Sequence, residues 1–241
     1  SLGGFAMTAV TALTAQNTLG VQDVMGVEPG FIRRQIASVL DDLGCDAIKT
    51  GMLHDATTIE AVCDELAARA PGRPLVADPV MIAKGGQALL QAEAIETLKR
   101  RLLPLATVVT PNIPEAEVLA GRAIADEADM HAVAELLLTL GVPAVMLKGG
   151  HMAGEVVVDI LATPEGIRRF AEPRIATRHT HGTGCTLASA IATGLAQGME
   201  LEDAVIRARL YVRAAIASAP GFGGGHGPLD HAVGIDAARF G

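Results

Sequence analysis

The sequence predicts an α/β fold: a mostly parallel sheet covered on both faces by helices. Two observations predict it. Short apolar runs alternate along the chain with longer segments whose apolar residues recur at helical spacing, the pattern of strand–helix–strand units. The short runs are continuously apolar, as strands buried on both faces require. With 241 residues, 50% of them hydrophobic, the chain can close one sizeable core, so residues 1–241 are read as a single domain.

Strands are expected at about 6–12, 46–50, 74–78, 106–110, 144–148 and 155–161. Phe31, Ile36, Val39, Leu40 and Leu43 mark a helix ended by Gly44. Asp55 caps a helix through Thr57–Ala70, with Ile59, Val62, Cys63 and Leu66 on one face. Gln87–Leu103 and Asp129–Leu140 are further helices, the second ended by Gly141 and followed by Pro143. The runs 155–161 and 167–171, joined through Thr163-Pro164-Glu165-Gly166, read as an antiparallel hairpin at one side. Two helices, about 185–197 and 201–218, fill the last third, parted by Gly198. Pro220 to Pro228 is too rich in glycine for regular structure. It is a ligand-contacting loop or a surface linker, and composition favours the linker.

Charge and composition exclude several classes. A net charge of -8 and a pI near 5.3 leave no nucleic-acid footprint, and with no Trp and one Tyr there is no stacking platform for single strands. The acidic balance does not exclude phosphate ligands, because basic groups can be placed locally. Cys45, Cys63 and Cys185 are odd in number and widely spaced, which fits a reducing cytosol and argues against disulfides or a thiolate zinc cluster. No apolar run reaches about 18 residues, so no membrane span is expected. The start, Ser1-Leu2-Gly3-Gly4, lacks the basic region of a secretory signal.

The chemistry concentrates in His179-Thr180-His181-Gly182-Thr183-Gly184-Cys185-Thr186. A glycine-rich turn that opens a helix leaves backbone N–H groups unpaired at the positive end of the helix dipole. Such a place suits a phosphate, or charge developing on one. Cys185 lies on that first turn, where a thiol pKa is expected below its free value of roughly 8.5. The same residues also suit a tight turn with a capping threonine and a small core cysteine. His179 and His181 invite a Cys–His hydrolase reading, but nothing in the sequence fixes either against the thiol.

In an open parallel sheet, ligands sit beyond the C-terminal ends of the strands. The expected strand ends carry Asp78-Pro79-Val80-Met81, Thr110-Pro111-Asn112-Ile113-Pro114-Glu115, Lys148-Gly149-Gly150-His151 and Thr50-Gly51-Met52-Leu53. One edge thus gathers Asp78, Asn112, Glu115, Lys148 and the anion turn, an inventory for phosphoryl transfer. Carboxylates and an amide suit Mg²⁺, a lysine suits phosphate, and a base completes the set. Taken singly, Asp78 and Asn112 also suit turns, Glu115 a helix first turn, and Lys148 a solvated strand end. No Gly-x-x-x-x-Gly-Lys-Ser/Thr and no early Gly-x-Gly-x-x-Gly occurs, which disfavours a P-loop or a dinucleotide fold.

With these residues in place, the chain resembles the hydroxymethylpyrimidine and phosphomethylpyrimidine kinases of thiamine biosynthesis, in the ribokinase-like superfamily. The matching blocks are Thr11-Ala12-Leu13-Thr14-Ala15-Gln16-Asn17-Thr18, Lys49-Thr50-Gly51-Met52-Leu53, Asp78-Pro79-Val80-Met81, Thr110 to Glu117, Lys148-Gly149-Gly150-His151, His181 to Thr186, and Gly225-His226-Gly227-Pro228-Leu229-Asp230-His231. They run in the family's order over nearly the whole chain. The resemblance implies a three-layer α/β/α sandwich of ribokinase type without a large lid domain. It implies ATP- and Mg²⁺-dependent phosphorylation of 4-amino-5-hydroxymethyl-2-methylpyrimidine and then of its monophosphate, in a cytoplasmic homodimer. By resemblance, Gln16, Met52 and Val80 bind the pyrimidine. Asn112, Glu115 and Lys148 serve ATP, and Asp78 and Glu115 serve the metal. Cys185 is the base, standing where related pyridoxal kinases carry aspartate, and Gly182, Thr183 and Gly184 donate N–H groups to the transferring phosphoryl. The family's opening strand and Gly-Ser-Asp-Ser-Gly-Gly-Gly-like loop have no match here, so the sheet is expected to lack that strand and expose an edge. Two readings stay open beside this one: a pyridoxal or pyridoxine kinase of the same superfamily, and a pyrimidine-binding domain without chemistry.

Overall fold

The computed structural model describes residues 1–81 and 92–235. Four strands lie parallel and in sequence order: β3 (Ile48–Thr50), β4 (Leu75–Ala77), β5 (Val108–Val109) and β6 (Val145–Leu147). The hairpin β7 (Val156–Thr163) and β8 (Gly166–Pro173) extends the sheet antiparallel beyond β6. Among the described strands, β3 and β8 form its edges. Alternation along each strand builds two cores. Ala77, Val109, Val145, Leu147, Ile160 and Ala162 face α1 (Pro29–Asp42), α2 (Ala56–Arg69), α4 (Ile113–Ala120) and α5 (Glu127–Leu138). Their neighbours Val76, Val108, Ala144, Met146 and Leu161 face α6 (Thr183–Ala196) and α7 (Leu201–Ala217). The result is the three-layer sandwich expected.

Local chemistry places the helices. Asp55 caps α2 through the Thr58 amide at 2.7 Å. α4, which the apolar pattern does not mark as a helix, is started by a capping box: the Asn112 side chain accepts from the Glu115 amide, and Glu115 accepts from the Asn112 amide. Of the expected helix Gln87–Leu103, residues 87–91 lie outside the described residues. The rest forms α3 (Ala92–Thr97), a widened turn over Leu98–Leu102 and a tight turn over Leu103–Leu105.

The start of the chain differs from expectation. Residues 6–11 form no strand. The strand is β1 (Ala12–Asn17), and it pairs antiparallel with β2 (Gly20–Gly26) in a ribbon outside the main sheet. The turn at Thr18 and Leu19 lets the chain fold straight back. Most of the ribbon is exposed, Leu13, Leu19 and Met25 included, so no buried apolar face announced it. The glycine-rich stretch after α7 also differs from a plain linker. His226 N–H donates to the Thr18 carbonyl (2.8 Å), Gly225 N–H to the Thr18 hydroxyl, and His181 N–H to the Gly227 carbonyl. It straps the tip of the ribbon to the segment that leads into α6.

Candidate active site

Parallel pairing brings the ends of β3, β4, β5 and β6 to one edge of the sheet. Asp78 follows β4 directly and is 2% exposed. Its Oδ1 accepts from the Thr110 hydroxyl at 3.0 Å and from Lys148 Nζ at 2.8 Å, and its Oδ2 lies 3.9 Å from Lys49 Nζ. Burial alone would raise this carboxyl. Lys148, then Lys49, then the hydrogen bonds overcome it and hold the pKa below the ordinary carboxylate range. Lys148 is mirrored: burial would lower it, and Asp78, Glu115 and the Asp78 hydrogen bond raise it instead. The expectation of Asp78 as an open metal ligand therefore meets a carboxylate already matched by two ammonium groups and a hydroxyl.

Asn112 and Glu115 stand beside this cluster. Asn112 bridges to Lys148 across neighbouring strand ends, and the Lys148 amide donates to the Pro111 carbonyl at 2.9 Å. Glu115 is buried, and burial raises its carboxyl. Lys148 and the amides of Asn112 and Met81 oppose that rise. The loop after Lys148 is fastened from behind. Gly149 N–H donates to Asp159 Oδ1 (2.9 Å), while Arg209 Nε donates to Asp159 Oδ2 (3.0 Å). A Cβ at Gly149 would stand 1.7 Å from the Val158 carbonyl, so this close approach requires glycine.

The anion turn opens α6. Gly182 is the N-cap, at φ 83° in the left-handed region, and makes no side-chain cap. The first helical bond runs from the Thr186 amide to the Gly182 carbonyl, which leaves the Gly184 and Cys185 amides without an intrahelical acceptor. The Thr183 hydroxyl donates to the Thr180 carbonyl (2.8 Å), and Thr186 Oγ1 lies 2.9 Å from His231 Nε2. Lys148 Nζ lies 3.0 Å from where a Gly184 Cβ would stand, so the lysine reaches this turn as well as Asp78.

Cys185 is exposed at the mouth of the helix, and its thiol feels the charges of Lys49, Asp78 and Lys148. The thiol pKa is raised, not lowered as its helix position predicts. Burial is the largest cause and Asp78 adds to it, while Lys49 and Lys148 pull it back. Desolvation and the neighbouring carboxylate outweigh the two ammonium groups.

The expected substrate residues are spread more widely. Met52 and Val80, both half-buried, follow β3 and β4 and therefore flank the cluster. Gln16 is exposed on β1, where the register shifts at a bulge, and no described contact ties it to the cluster. Lys49 and Thr110 belong to the cluster but were not among the expected site residues. A lysine followed by Thr-Gly at a strand end carries the same signal as Lys148-Gly149-Gly150. Asp159, Arg209 and His231 act from behind, and their pairings join residues far apart in sequence. A surface groove of about 220 Å³ between β8 and α7 is lined by Arg168, Arg209 and Arg213. Those arginines are already paired, with Glu202, Asp159 and the Pro173 carbonyl, so it is not read as the site.

The family model described as phosphomethylpyrimidine kinase matches residues 1–230. The chain is 49% identical to the thiamine biosynthesis bifunctional protein ThiED of Geobacter sulfurreducens over 99% of its own length, and spans about half (48%) of that protein. It is 45% identical to the hydroxymethylpyrimidine/phosphomethylpyrimidine kinase of Streptomyces coelicolor, covering 96% of this chain and 85% of that one. Among solved structures, the phosphomethylpyrimidine kinase of Clostridium difficile is similar with a TM-score of 0.78 at 40% identity, covering 89% of this chain and 88% of that one. The pyridoxal kinase of Staphylococcus aureus, in complex with AMP-PCP and pyridoxal, is similar with a TM-score of 0.89 at 30% identity, covering 98% and 86%.

Proposed function

Because the chain belongs to the phosphomethylpyrimidine kinase family, we propose that it transfers the γ-phosphoryl of ATP to 4-amino-5-hydroxymethyl-2-methylpyrimidine. In a second round it transfers another to the resulting monophosphate. The observation that carries this reading is that Lys148 joins Asp78 to the turn at Gly184, where α6 opens with free amides and carries Cys185 on its first turn. In the first round, Cys185 in its thiolate form takes the proton of the acceptor hydroxyl at Sγ. The acceptor oxygen bonds to the γ-phosphorus, and the bond to ADP breaks. The amides of Gly184 and Cys185, with Gly182 and Thr183 shaping the turn, receive the charge on the transferring phosphoryl. Lys148, held by Asp78, neutralises phosphate beside it.

Met52 and Val80 wall the pyrimidine, and Gln16, reached through the ribbon, reads its amino and ring-nitrogen edge. Asn112, Glu115 and Lys148 serve ATP. Among the described residues no three His, Cys, Asp or Glu side chains gather as a metal site. Mg²⁺ keeps several waters and takes one or two carboxylates plus phosphate oxygens. Glu115 is the carboxylate assigned to it. Asp78, beside two ammonium groups, is assigned instead to placing Lys148 and Cys185. When bound, the ion supplies neutralisation of the phosphate charge.

The test is direct. Purified protein with ATP, Mg²⁺ and the hydroxymethylpyrimidine should yield the monophosphate and then the diphosphate. No ATP consumption with either acceptor would overturn the reading. The pyridoxal kinase likeness motivates a second reading, and competition between pyridoxal and the pyrimidine separates the two. A homodimer is part of the proposal. The exposed Leu13, Leu19 and Met25 of the ribbon support it, and light scattering that reports a monomer would remove it.

A further inference from the structure

Resting on the kinase reading, we propose that Lys49 recognises the phosphate of a phosphomonoester acceptor, and so separates the second phosphoryl transfer from the first. The two acceptors differ in charge at the reacting end. The alcohol is neutral there, while a phosphomonoester carries about −1.5 to −2 at pH 7. Such an acceptor must approach a buried carboxylate, Asp78, and a second phosphate. It needs a cation that is near the acceptor and not already committed.

Lys148 is committed. It holds Asp78 at 2.8 Å and lies against the turn at Gly184. Lys49 is different in three respects. Its ammonium stands 3.9 Å from the other Asp78 oxygen, beyond hydrogen-bonding distance, and its side chain is 20% exposed against 13% for Lys148. It lies on β3, three residues before Met52, which is assigned to the pyrimidine wall, whereas Lys148 reaches the turn at Gly184. Its ammonium also rests beside Gly51, 2.8 Å from where a Cβ there would stand, at the start of the loop that leads to Met52. A lysine is a point charge on a flexible four-carbon stem. With the alcohol bound, Lys49 remains with Asp78. With the monophosphate bound, it reaches that phosphate while Lys148 keeps Asp78 paired.

The second transfer then balances without a base. A non-bridging oxygen of the acceptor phosphate, already deprotonated, forms a bond to the γ-phosphorus. The bond from that phosphorus to the ADP oxygen breaks, and its electron pair leaves with ADP. Cys185 has no proton to take in this round. What the round requires is neutralisation of the incoming dianion.

The experiment measures kcat/KM separately for the alcohol and for the monophosphate, each across pH. In Lys49→Gln, the ratio of monophosphate to alcohol kcat/KM should fall about 10- to 100-fold, the loss of one charge-assisted hydrogen bond. Lys49→Arg should recover most of it. Any effect on the thiol appears separately, as a displaced pH profile for the alcohol. A ratio within about twofold of wild type, or equal losses for both acceptors, would overturn the proposal, since Lys49 would then act only through Asp78 and Cys185. If Lys49→Gln does not fold, Lys49→Met, which keeps the stem and removes the charge, decides on the same ratio. A wild-type protein that turns over neither acceptor would overturn the kinase reading instead.

Discussion

Two regions of the molecule meet the substrate in this account, and they are built in opposite ways. The strand-end cluster of Asp78, Thr110 and Lys148 is buried, held by hydrogen bonds of 2.8 and 3.0 Å, and rooted in four parallel strands. The β1–β2 ribbon that carries Gln16 is exposed, stands outside that sheet, and is strapped at its tip by the tail loop. A buried, fully paired cluster fixes reacting groups within a small tolerance and makes each member costly to remove. An exposed ribbon adds little stability and can adjust to what it covers. Chemistry is assigned to the first region and substrate selection to the second.

Breaking the buried region should therefore cost most. Asp78→Ala would leave Lys148 and Lys49 beside an empty position, and a loss of about 3–5 kcal/mol in urea-unfolding stability is expected. Stability within about 1 kcal/mol of wild type would mean that the cluster is not a buried pair. Gly149→Ala should come next. Its Cβ cannot coexist with the Val158 carbonyl, so the Lys148 loop must shift, and kcat should fall by about 100-fold.

Acid should act on the same cluster. The Asp78 carboxyl is lowered in the fold, so its contribution is full above the ordinary carboxylate value and is lost as pH falls through the lower folded value. Unfolding followed from pH 6 down to pH 2 should show this loss for wild type and not for Asp78→Asn. The raised thiol works in the opposite sense on rate. Phosphorylation of the alcohol should increase as pH rises through and above the ordinary cysteine range, because the thiolate is the base.

The ribbon should respond least. Gln16→Ala is expected to change stability by no more than about 0.5 kcal/mol and to raise the pyrimidine KM about 2- to 10-fold. A large loss of stability would show that the ribbon is part of the core and would erase the contrast.

The same contrast governs how much could be read from sequence. The sheet, the hairpin β7–β8 and helices α2, α5, α6 and α7 were legible because burial imposes a period on the chain. Asp78, Asn112, Glu115 and Lys148 were legible as strand-end residues. The ribbon was not, because exposed strands leave no apolar face to read. Nothing local marks Lys49 as a site residue, and only the parallel pairing of β3 with β4 brings it to Asp78. The Asp159–Arg209 pair and the strap from Thr18 to His226 join distant positions, and nothing local signals them. The thiol shifts in the opposite sense to the one its helix position predicts, since helix position is written in the sequence and desolvation is not.

The central claim is that Cys185 removes the acceptor proton at this cluster. Its most direct measurement is Cys185→Ala assayed with both acceptors alongside its melting temperature. A fall of about 10²–10⁴-fold in kcat is expected for the alcohol, with a much smaller change for the monophosphate and an unchanged melting temperature. Undiminished turnover of the alcohol would contradict it.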